Sequence, residues 1–445
     1  MAGKVRETVY GDFAAEFVEE RLANLCDPDA GIQTGPFGSQ LHQEDYVTSG
    51  TPIITVEHLG ENSILHEGVP RVSDADRNRL SRYSLCTGDI VFSRVGSVDR
   101  RALVKCAEDG WLFSGRCLRV RPNAEKIDSG FLSYFFGLPA FKEYIRAIAV
   151  GATMPSLNTS ILSEVVVLHP RSIGEQRAIA RILGALDDKI ELNRRMNETL
   201  EAMARVLFKS WFVDFDPVRA KTAGREQRGL ASDIAGLFPD AFDQDEMPLG
   251  WHLGQLSDIA SVVMGASPPG ETYNELGIGV PLVNGPVEYG DFFVEKKKWT
   301  TQPTRLSCKG DLILCVRGST TGRHAFSDDE YCLGGGVCAI RAIRSEQALV
   351  NRLVLDGLPE LLSKTTGSVF PNLSSEDIKS LRVVIPPLPI AKLFCNLIAP
   401  ADQRVWNNVS ESRTLSMLRD TLLPRLISGG VRVKDAERVV AEVAG

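Results

Sequence analysis

The chain has 445 residues, of which 24% are charged, 43% hydrophobic and 7% aromatic, with a net charge of −7. That composition excludes a disordered or collagen-like chain, and at roughly 150 residues per domain it predicts about three units, or two large ones. The acidic balance argues against a generic, charge-driven nucleic-acid binder while leaving room for a local basic face.

Met1 to Glu20 is charged and lacks the apolar core of a signal peptide, and no run of about 18 apolar residues follows, so a cytosolic chain without a membrane span is expected. Nine cysteines, none in a C-x-x-C pair, argue against a disulfide framework or a zinc site. Cys106, Cys117, Cys308 and Cys315 are expected in strands as small buried hydrophobes.

The chain repeats itself. Cys86-Thr87-Gly88-Asp89-Ile90-Val91-Phe92-Ser93-Arg94-Val95-Gly96-Ser97 returns as Cys308-Lys309-Gly310-Asp311-Leu312-Ile313-Leu314-Cys315-Val316-Arg317-Gly318-Ser319. Both read as a Gly-Asp turn, a buried apolar strand, a basic residue and a Gly-Ser loop. Gly151 to Leu157 corresponds to Gly367 to Leu373, and each copy then runs into a β-rich stretch closed by proline, Val165 to Pro170 and Leu381 to Pro387.

A long helix is predicted after each copy. The first runs from about Ile173 to Phe212, opened by Ser172 and Glu175 at capping-box spacing. Leu183, Leu186, Ile190, Leu200, Leu207 and Trp211, with Asn193, Asn197 and Ala204, form a heptad seam with two polar interruptions. Val405, Ser412, Leu415, Leu422 and Leu426 give a weaker seam in the second copy, ending at Gly429-Gly430. An amphipathic helix packed on its own domain is the plain alternative. The narrow stripe and the length of nearly forty residues favour antiparallel pairing of the two helices, which would carry the β-rich units to opposite ends of a rod. Asp216 to Gly250 loses periodicity and reads as a surface linker with a short helix near Ser232 to Leu237.

Catalytic motifs fail one by one. Gly265-Ala266-Ser267-Pro268-Pro269-Gly270-Glu271 has Walker-A glycine spacing, but Glu271 stands where the lysine must be. Asp291 with Glu295-x-Lys297 echoes a metal-dependent nuclease, yet four residues on an extended chain would hold the acids roughly 13 Å apart. Basic residues suit DNA better. Lys296, Lys297 and Lys298 precede Trp299, and Arg317 and Arg323 flank Ser319, Thr320 and Thr321. Arg94, Arg100, Arg101 and Arg116, with Ser97, occupy the matching region of the first copy. Such loops supply phosphate contacts and arginines able to grip guanine; a solvated charge-mixed surface is the alternative for any single arginine.

The residues resemble the specificity subunits of type I restriction-modification enzymes over nearly the whole chain. The likeness rests on Gly35-Pro36-Phe37-Gly38-Ser39-Gln40-Leu41, Asp45-Tyr46, Gly50-Thr51-Pro52-Ile53-Ile54, Gly88-Asp89-Ile90-Val91 and Ser172 to Ala180. It continues through Leu186 to Asn193, Trp211-Phe212-Val213-Asp214-Phe215-Asp216-Pro217-Val218, Pro248-Leu249-Gly250-Trp251 and Arg419 to Gly429.

This resemblance implies an α+β fold with two mixed target-recognition domains separated by two long antiparallel coiled-coil helices, a pseudo-two-fold internal repeat. The expected boundaries are 1–170 for the first recognition domain, 171–215 for the central spacer helix and 216–246 for the linker. The second recognition domain would take 247–387, the distal helix 388–430 and a C-terminal tail 431–445. Each recognition domain would read one half of a bipartite site in double-stranded DNA, with Gly35, Phe37, Ser39 and Gln40 joining the basic residues above. The helices would set the spacing, the first spanning about 57 Å, and dock two modification methyltransferase subunits, joined by restriction subunits. S-adenosylmethionine, ATP and Mg²⁺ would belong to those partners, leaving this chain without catalytic residues, cofactor or metal. Glu175, Gln176, Arg177, Trp211, Phe212 and Phe215 are the expected subunit-interface residues, although burial of the aromatics inside the chain is the favoured reading of those three. One departure stands out: Pro400 replaces Gly184, so the second helix is expected to begin at or after Pro400, with Pro424 kinking its end. A coiled-coil scaffold with protein-binding β-domains, and a nuclease, are the competing readings.

Overall fold

The computed structural model describes residues 5–37, 40–151, 154–225, 232–363 and 372–444. Gly38, Ser39, Ala152, Thr153 and residues 367–371 of the repeated motifs lie outside them. The chain divides into two compact units, one formed by Met1–Leu192 with Glu411–Gly445, the other by Asn193–Ser410.

Unit 1 contains β1 (Val5–Thr8), β2 (Gly11–Ala14), β3 (Val18–Arg21), β4 (Ile32–Thr34), β5 (Tyr46–Val47) and β6 (Thr51–Ile54). It continues with β7 (Arg71–Val72), β8 (Ile90–Ser93), β9 (Arg101–Leu103), β10 (Leu112–Phe113), β11 (Cys117–Val120) and β12 (Val166–His169). Two four-stranded sheets, ordered β10-β6-β7-β5 and β4-β11-β8-β9, are joined by the small pairs β12-β3 and β1-β2. Unit 2 contains β13 (His252–Gln255), β14 (Ala260–Met264), β15 (Tyr273–Asn274), β16 (Val280–Val283) and β17 (Lys298–Thr300). There follow β18 (Leu312–Cys315), β19 (His324–Phe326), β20 (Cys332–Leu333), β21 (Val337–Ala342) and β22 (Arg382–Ile385). Its sheets run β20-β16-β17-β15 and β14-β21-β18-β19, with the pair β13-β22. Apart from the β1-β2 pair of unit 1, this is the topology of unit 1, down to the one parallel pairing in each first sheet, β10 with β6 and β20 with β16.

The repeated Gly-Asp turn has the same construction in both units. Gly88 and Gly310 each take φ +93°, a region open to glycine without a Cβ penalty. The aspartate behind each is buried. Asp89 accepts from the Cys86 N–H at 2.8 Å and from Arg121 through two bonds of 2.7 Å. Asp311 accepts from the Cys308 N–H at 2.7 Å and from Arg341 at 2.7 Å. Each carboxylate holds its arginine's pKa above the ordinary value. The four residues that follow, Ile90–Ser93 and Leu312–Cys315, are fully buried strands. Cys117 and Cys315 are buried as expected; Cys106 and Cys308 are exposed, because neither lies in a strand: Cys106 opens a short 3-10 helix and Cys308 falls in the loop before β18.

The proximal helix is Ile173–Phe212 and the distal helix Leu388–Ile427, 40 residues each. In unit 1 the first half of the proximal helix meets the last part of the distal one. Leu183 and Leu186 share a core with Leu415, Leu422 and Leu426, Asp187 accepts from Arg419 at 2.8 Å, and Lys189 faces Glu411 at 3.4 Å. In unit 2, Phe208, Trp211 and Phe212 share a core with Phe394, while Asn408 Nδ2 donates to Asn197 Oδ1 at 2.8 Å. Rising numbers on one helix meet falling numbers on the other, so the pairing within each unit is antiparallel. The polar interruption at Asn193 is a buried layer whose Nδ2 donates to the Asn408 carbonyl at 3.4 Å. A buried polar layer of this kind fixes helix register.

Two expectations are corrected. The distal helix does not wait for Pro400; it begins at Leu388 and runs through both Pro400 and Pro424. Ile390, Phe394, Ile398 and Val405 are buried on its inner face, while Pro400 and Asn396, whose carbonyl loses its donor, both face solvent. Burial of that apolar face outweighs a proline cost of about 3 kcal/mol. The stretch after the proximal helix is also more than a surface linker. It forms a short helix, Asp216–Thr222, and delivers Val218 and Phe238 to the core of unit 2.

Candidate nucleic-acid interface

In unit 1 three loops gather at one end of the β4-β11-β8-β9 sheet: the one leaving β4, the one leaving β8 and the one entering β11. Gly35 donates its N–H to the Cys117 carbonyl at 3.2 Å, and a Cβ there would sit 2.1 Å from the Ser114 carbonyl oxygen. Gly115 is tied the other way, with Pro36 O only 2.2 Å from where its Cβ would be. Two backbones approach this closely only where both carry glycine. Across them Arg94 donates to the Gly115 carbonyl at 3.1 Å and lies 4.3 Å from the centre of the Phe37 ring, itself 47% exposed. Gln40 accepts from the Tyr83 hydroxyl at 2.8 Å, and its carbonyl accepts from Arg79 at 2.6 Å. Arg116 and Ser97 are exposed beside them, and Ser39 lies outside the described residues.

Unit 2 repeats the arrangement. Gly265 donates to the Val337 carbonyl at 2.9 Å, and its Cβ would stand 2.1 Å from Gly334 O. Ser267 Oγ accepts from the Gly335 N–H at 3.0 Å. Arg317 is exposed, with Nη1 4.0 Å from the position of a Cβ on Gly335. The Walker-like stretch starting at Gly265 is thus the structural counterpart of the Gly35 loop, a correspondence sequence reasoning missed. The available signal was a strand ending in glycine with proline soon after, Gly35-Pro36 and Gly265 to Pro268.

The hydrogen-bonded register shows a further difference. Ser93 pairs with Cys117 and Cys315 with Val337, so Arg94 corresponds to Val316 and Arg317 to Val95. The two arginines nonetheless reach the equivalent loops, 114–116 and 334–336.

The remaining expected residues are divided. Arg323 and Ser319 are exposed in the loop joining β18 and β19, Thr320 Oγ1 lies 3.3 Å from Cys315 Sγ, and Thr321 donates to the Gly318 carbonyl at 2.8 Å. Lys298 is exposed on β17, but Lys296 is paired with Asp329 at 2.6 Å and Lys297 with Glu295 at 2.7 Å. Arg100, half-buried, donates to the Leu59 carbonyl. Arg101 is not at a surface. It is 2% exposed, donates to Ser133 O at 2.9 Å and pairs with Glu61 at 3.0 Å, and burial lowers its pKa. Both Arg101 and Ala102, on opposite faces of β9, are buried, so the strand is covered on both sides, which its sequence neighbours did not reveal.

Among the expected subunit contacts, Glu175 and Arg177 are exposed, Arg177 lying 3.9 Å from Asp128. Gln176 is fully buried; it accepts from the Asp128 N–H and donates to the Pro170 carbonyl, each at 2.8 Å. That fastens the helix start to its own domain and removes Gln176 from any partner surface. Trp211, Phe212 and Phe215 are buried with Phe238, Trp251 and Phe394, Phe212 meeting Phe394 edge to face at 5.0 Å. Phe215 takes φ +55°, a left-handed conformation rare for a bulky residue, with Trp251 at 5.7 Å from its ring. These aromatics serve the core of unit 2.

Among the described residues no three His, Cys, Asp or Glu side chains come together as a metal site, and no helix is long and apolar enough to cross a membrane.

A family model described as the type I restriction modification DNA specificity domain matches residues 34–202 and 248–403. The type I restriction enzyme MjaIX specificity subunit of Methanocaldococcus jannaschii is 28% identical over 317 residues, covering 69% of this chain and 70% of that protein. The HindI specificity subunit of Haemophilus influenzae is 26% identical over 435 residues, covering 83% and 92%. A crystal structure of the S subunit of a type I restriction-modification system from M. genitalium matches with a TM-score of 0.57 at 15% identity, covering 92% of this chain and 96% of that one, a likeness of fold.

Proposed function

The chain belongs to the type I restriction-modification DNA specificity family, and on that premise we propose that it is the sequence-recognition subunit of such a complex, each unit reading one half of a bipartite DNA site. The observation that carries this reading is the duplicated loop cluster: glycine-tight backbones at the same sheet end in both units, each with an arginine beside the loop entering the last sheet strand. Exposed N–H groups and arginines in that arrangement suit phosphate contact and groove readout. Arg94, Arg116, Ser97, Phe37 and Gln40 are the readers proposed for unit 1. Arg317, Arg323, Ser319, Thr320, Thr321 and Lys298 are those for unit 2. The paired helices set the spacing between half-sites and, with Glu175 and Arg177 exposed at the proximal helix start, dock two methyltransferase subunits. Methyl transfer and cleavage belong to the modification and restriction subunits.

The test is single-molecule sequencing of methylated adenines in cells expressing this chain with its neighbouring methyltransferase, against cells lacking only this chain. A gapped two-part motif that disappears in the control is the expected result. Unchanged methylation, with the methyltransferase shown to be active, refutes the reading.

A further inference from the structure

Unit 1 holds a buried positive charge that its own side chains do not neutralise. Arg119, on β11, is 2% exposed, yet among the described residues no carboxylate lies within ion-pair distance of it. Its Nη atoms donate to the carbonyls of Ala30 and Ser84, neutral acceptors, and its Nε has no partner. Directly across the strand pair stands Gln33, whose buried Oε1 is also without a partner. Two buried polar atoms without partners are costly unless something satisfies them.

Both residues line one cleft of about 600 Å³, to which Arg82, Arg121, Asp27 and Asp29 also contribute. Arg121 is already matched by its two bonds to Asp89, and Asp27 Oδ1 accepts from the N–H groups of Asp29 and Ala30 at 3.0 and 2.8 Å. Arg82, exposed and stacked 4.6 Å from the centre of the Tyr83 ring, has no ion pair among the described residues. The groups lining the cleft without an ion pair among the described residues are therefore two guanidiniums, the Gln33 amide and the carboxylates of Asp27 and Asp29, of which Asp27 is turned onto backbone N–H groups. Unit 2 has nothing comparable: the cross-strand pair equivalent to Arg119 and Gln33 is Ala339 and Val263, packed in an apolar cluster. The charge is thus no requirement of the fold.

We propose that this cleft is an oxyanion site that takes a phosphate group between Arg119 and Arg82. Gln33 turns its amide N–H₂ toward the anion, the side-chain flip that replaces an orphaned acceptor by a donor. The Arg82 guanidinium fork suits a tetrahedral oxyanion, and each Arg119 Nη keeps a second N–H beyond the one given to a carbonyl. The phosphate comes either free, as orthophosphate or part of a small molecule, or as a backbone phosphate of bound DNA. The DNA source rests on the recognition function proposed above; the free-anion source does not.

The experiment is ³¹P NMR of orthophosphate with the full chain at fixed ionic strength, for wild type, Arg119→Met and Arg82→Ala. Wild type broadens the phosphate line; Arg119→Met, which removes the charge and keeps most of the buried volume, binds about tenfold more weakly, and Arg82→Ala is intermediate. Should Arg119→Met fail to fold by circular dichroism, the surface variant Arg82→Ala decides. Addition of duplex DNA separates the sources: displacement of orthophosphate assigns the site to the DNA backbone, and undiminished binding assigns it to a free anion. No broadening with wild type, or equal broadening with the folded variants, overturns the proposal.

Discussion

Replacing Pro400 by alanine should stabilise unit 2. Proline in a helix interior is about 3 kcal/mol less favourable than alanine, through the missing N–H and its clash with the preceding turn. Here the ring is exposed and the carbonyl it strands, that of Asn396, faces solvent, so alanine loses no packing. Alanine also frees the unfolded chain, which returns about 0.4–1 kcal/mol. The net gain is about 2 kcal/mol. For a unit spanning Asn193–Ser410, that corresponds to a rise in Tm of about 4–8 °C in the transition assigned to unit 2. Urea titration of the full chain by circular dichroism would give the free energy. Hydrogen exchange over residues 396–404 would show whether the new N–H is protected. A neutral or destabilising result, or an unprotected amide at position 400, would refute a distal helix continuous through that point.

Arg101 and Arg116, indistinguishable as basic residues in the sequence, should separate cleanly. Arg101→Met should lower the stability of unit 1 by about 1–2 kcal/mol in urea unfolding, through loss of its bonds to the Ser133 carbonyl and to Glu61, which keeps Lys142, while Arg116→Ala should leave stability unchanged and reduce the salt slope of DNA binding by about one. Glu201 gives a pH signature: burial pushes its carboxyl above the usual range, Arg352 opposing and Asp402 adding to the rise. Folding therefore takes up a proton at Glu201 between the raised pKa and the ordinary carboxylate value. Relative to Glu201→Gln, wild-type unit 2 should lose stability as pH rises through that window, and identical pH profiles would contradict the assignment.

The duplication was legible because its anchor is chemically demanding. A Gly-Asp turn backed by four buried strand residues needs a left-handed glycine and a buried acid with an arginine partner, and all recur at Gly88-Asp89-Arg121 and Gly310-Asp311-Arg341. The long helices were legible from their seam, including the polar layer at Asn193. Proline propensity misled at Pro400, since local cost carries no information about the apolar face formed by Ile390, Phe394 and Ile398. The site was harder. Whether an arginine reaches solvent depends on whether its position falls in a covered strand, as Arg101 does in β9, or in a turn, as Arg116 does before β11. The Gly265 loop escaped notice because its function resides in backbone approach, and the side chains following the shared glycine, Phe37 and Ser267, have nothing in common.

The one-residue offset between Arg94 and Arg317 bears on how such a protein could acquire a new target. Because Val316 is buried where Arg94 is half-exposed, copying Arg94 onto its aligned position in the second repeat would place a charge inside a hydrophobic layer. Point-by-point transplantation between the repeats is therefore a poor route to altered readout. Under the function proposed here, exchange of an entire strand-end loop with its supporting turn keeps each arginine on its own side, which would make the loop, and not the residue, the smallest heritable unit of preference.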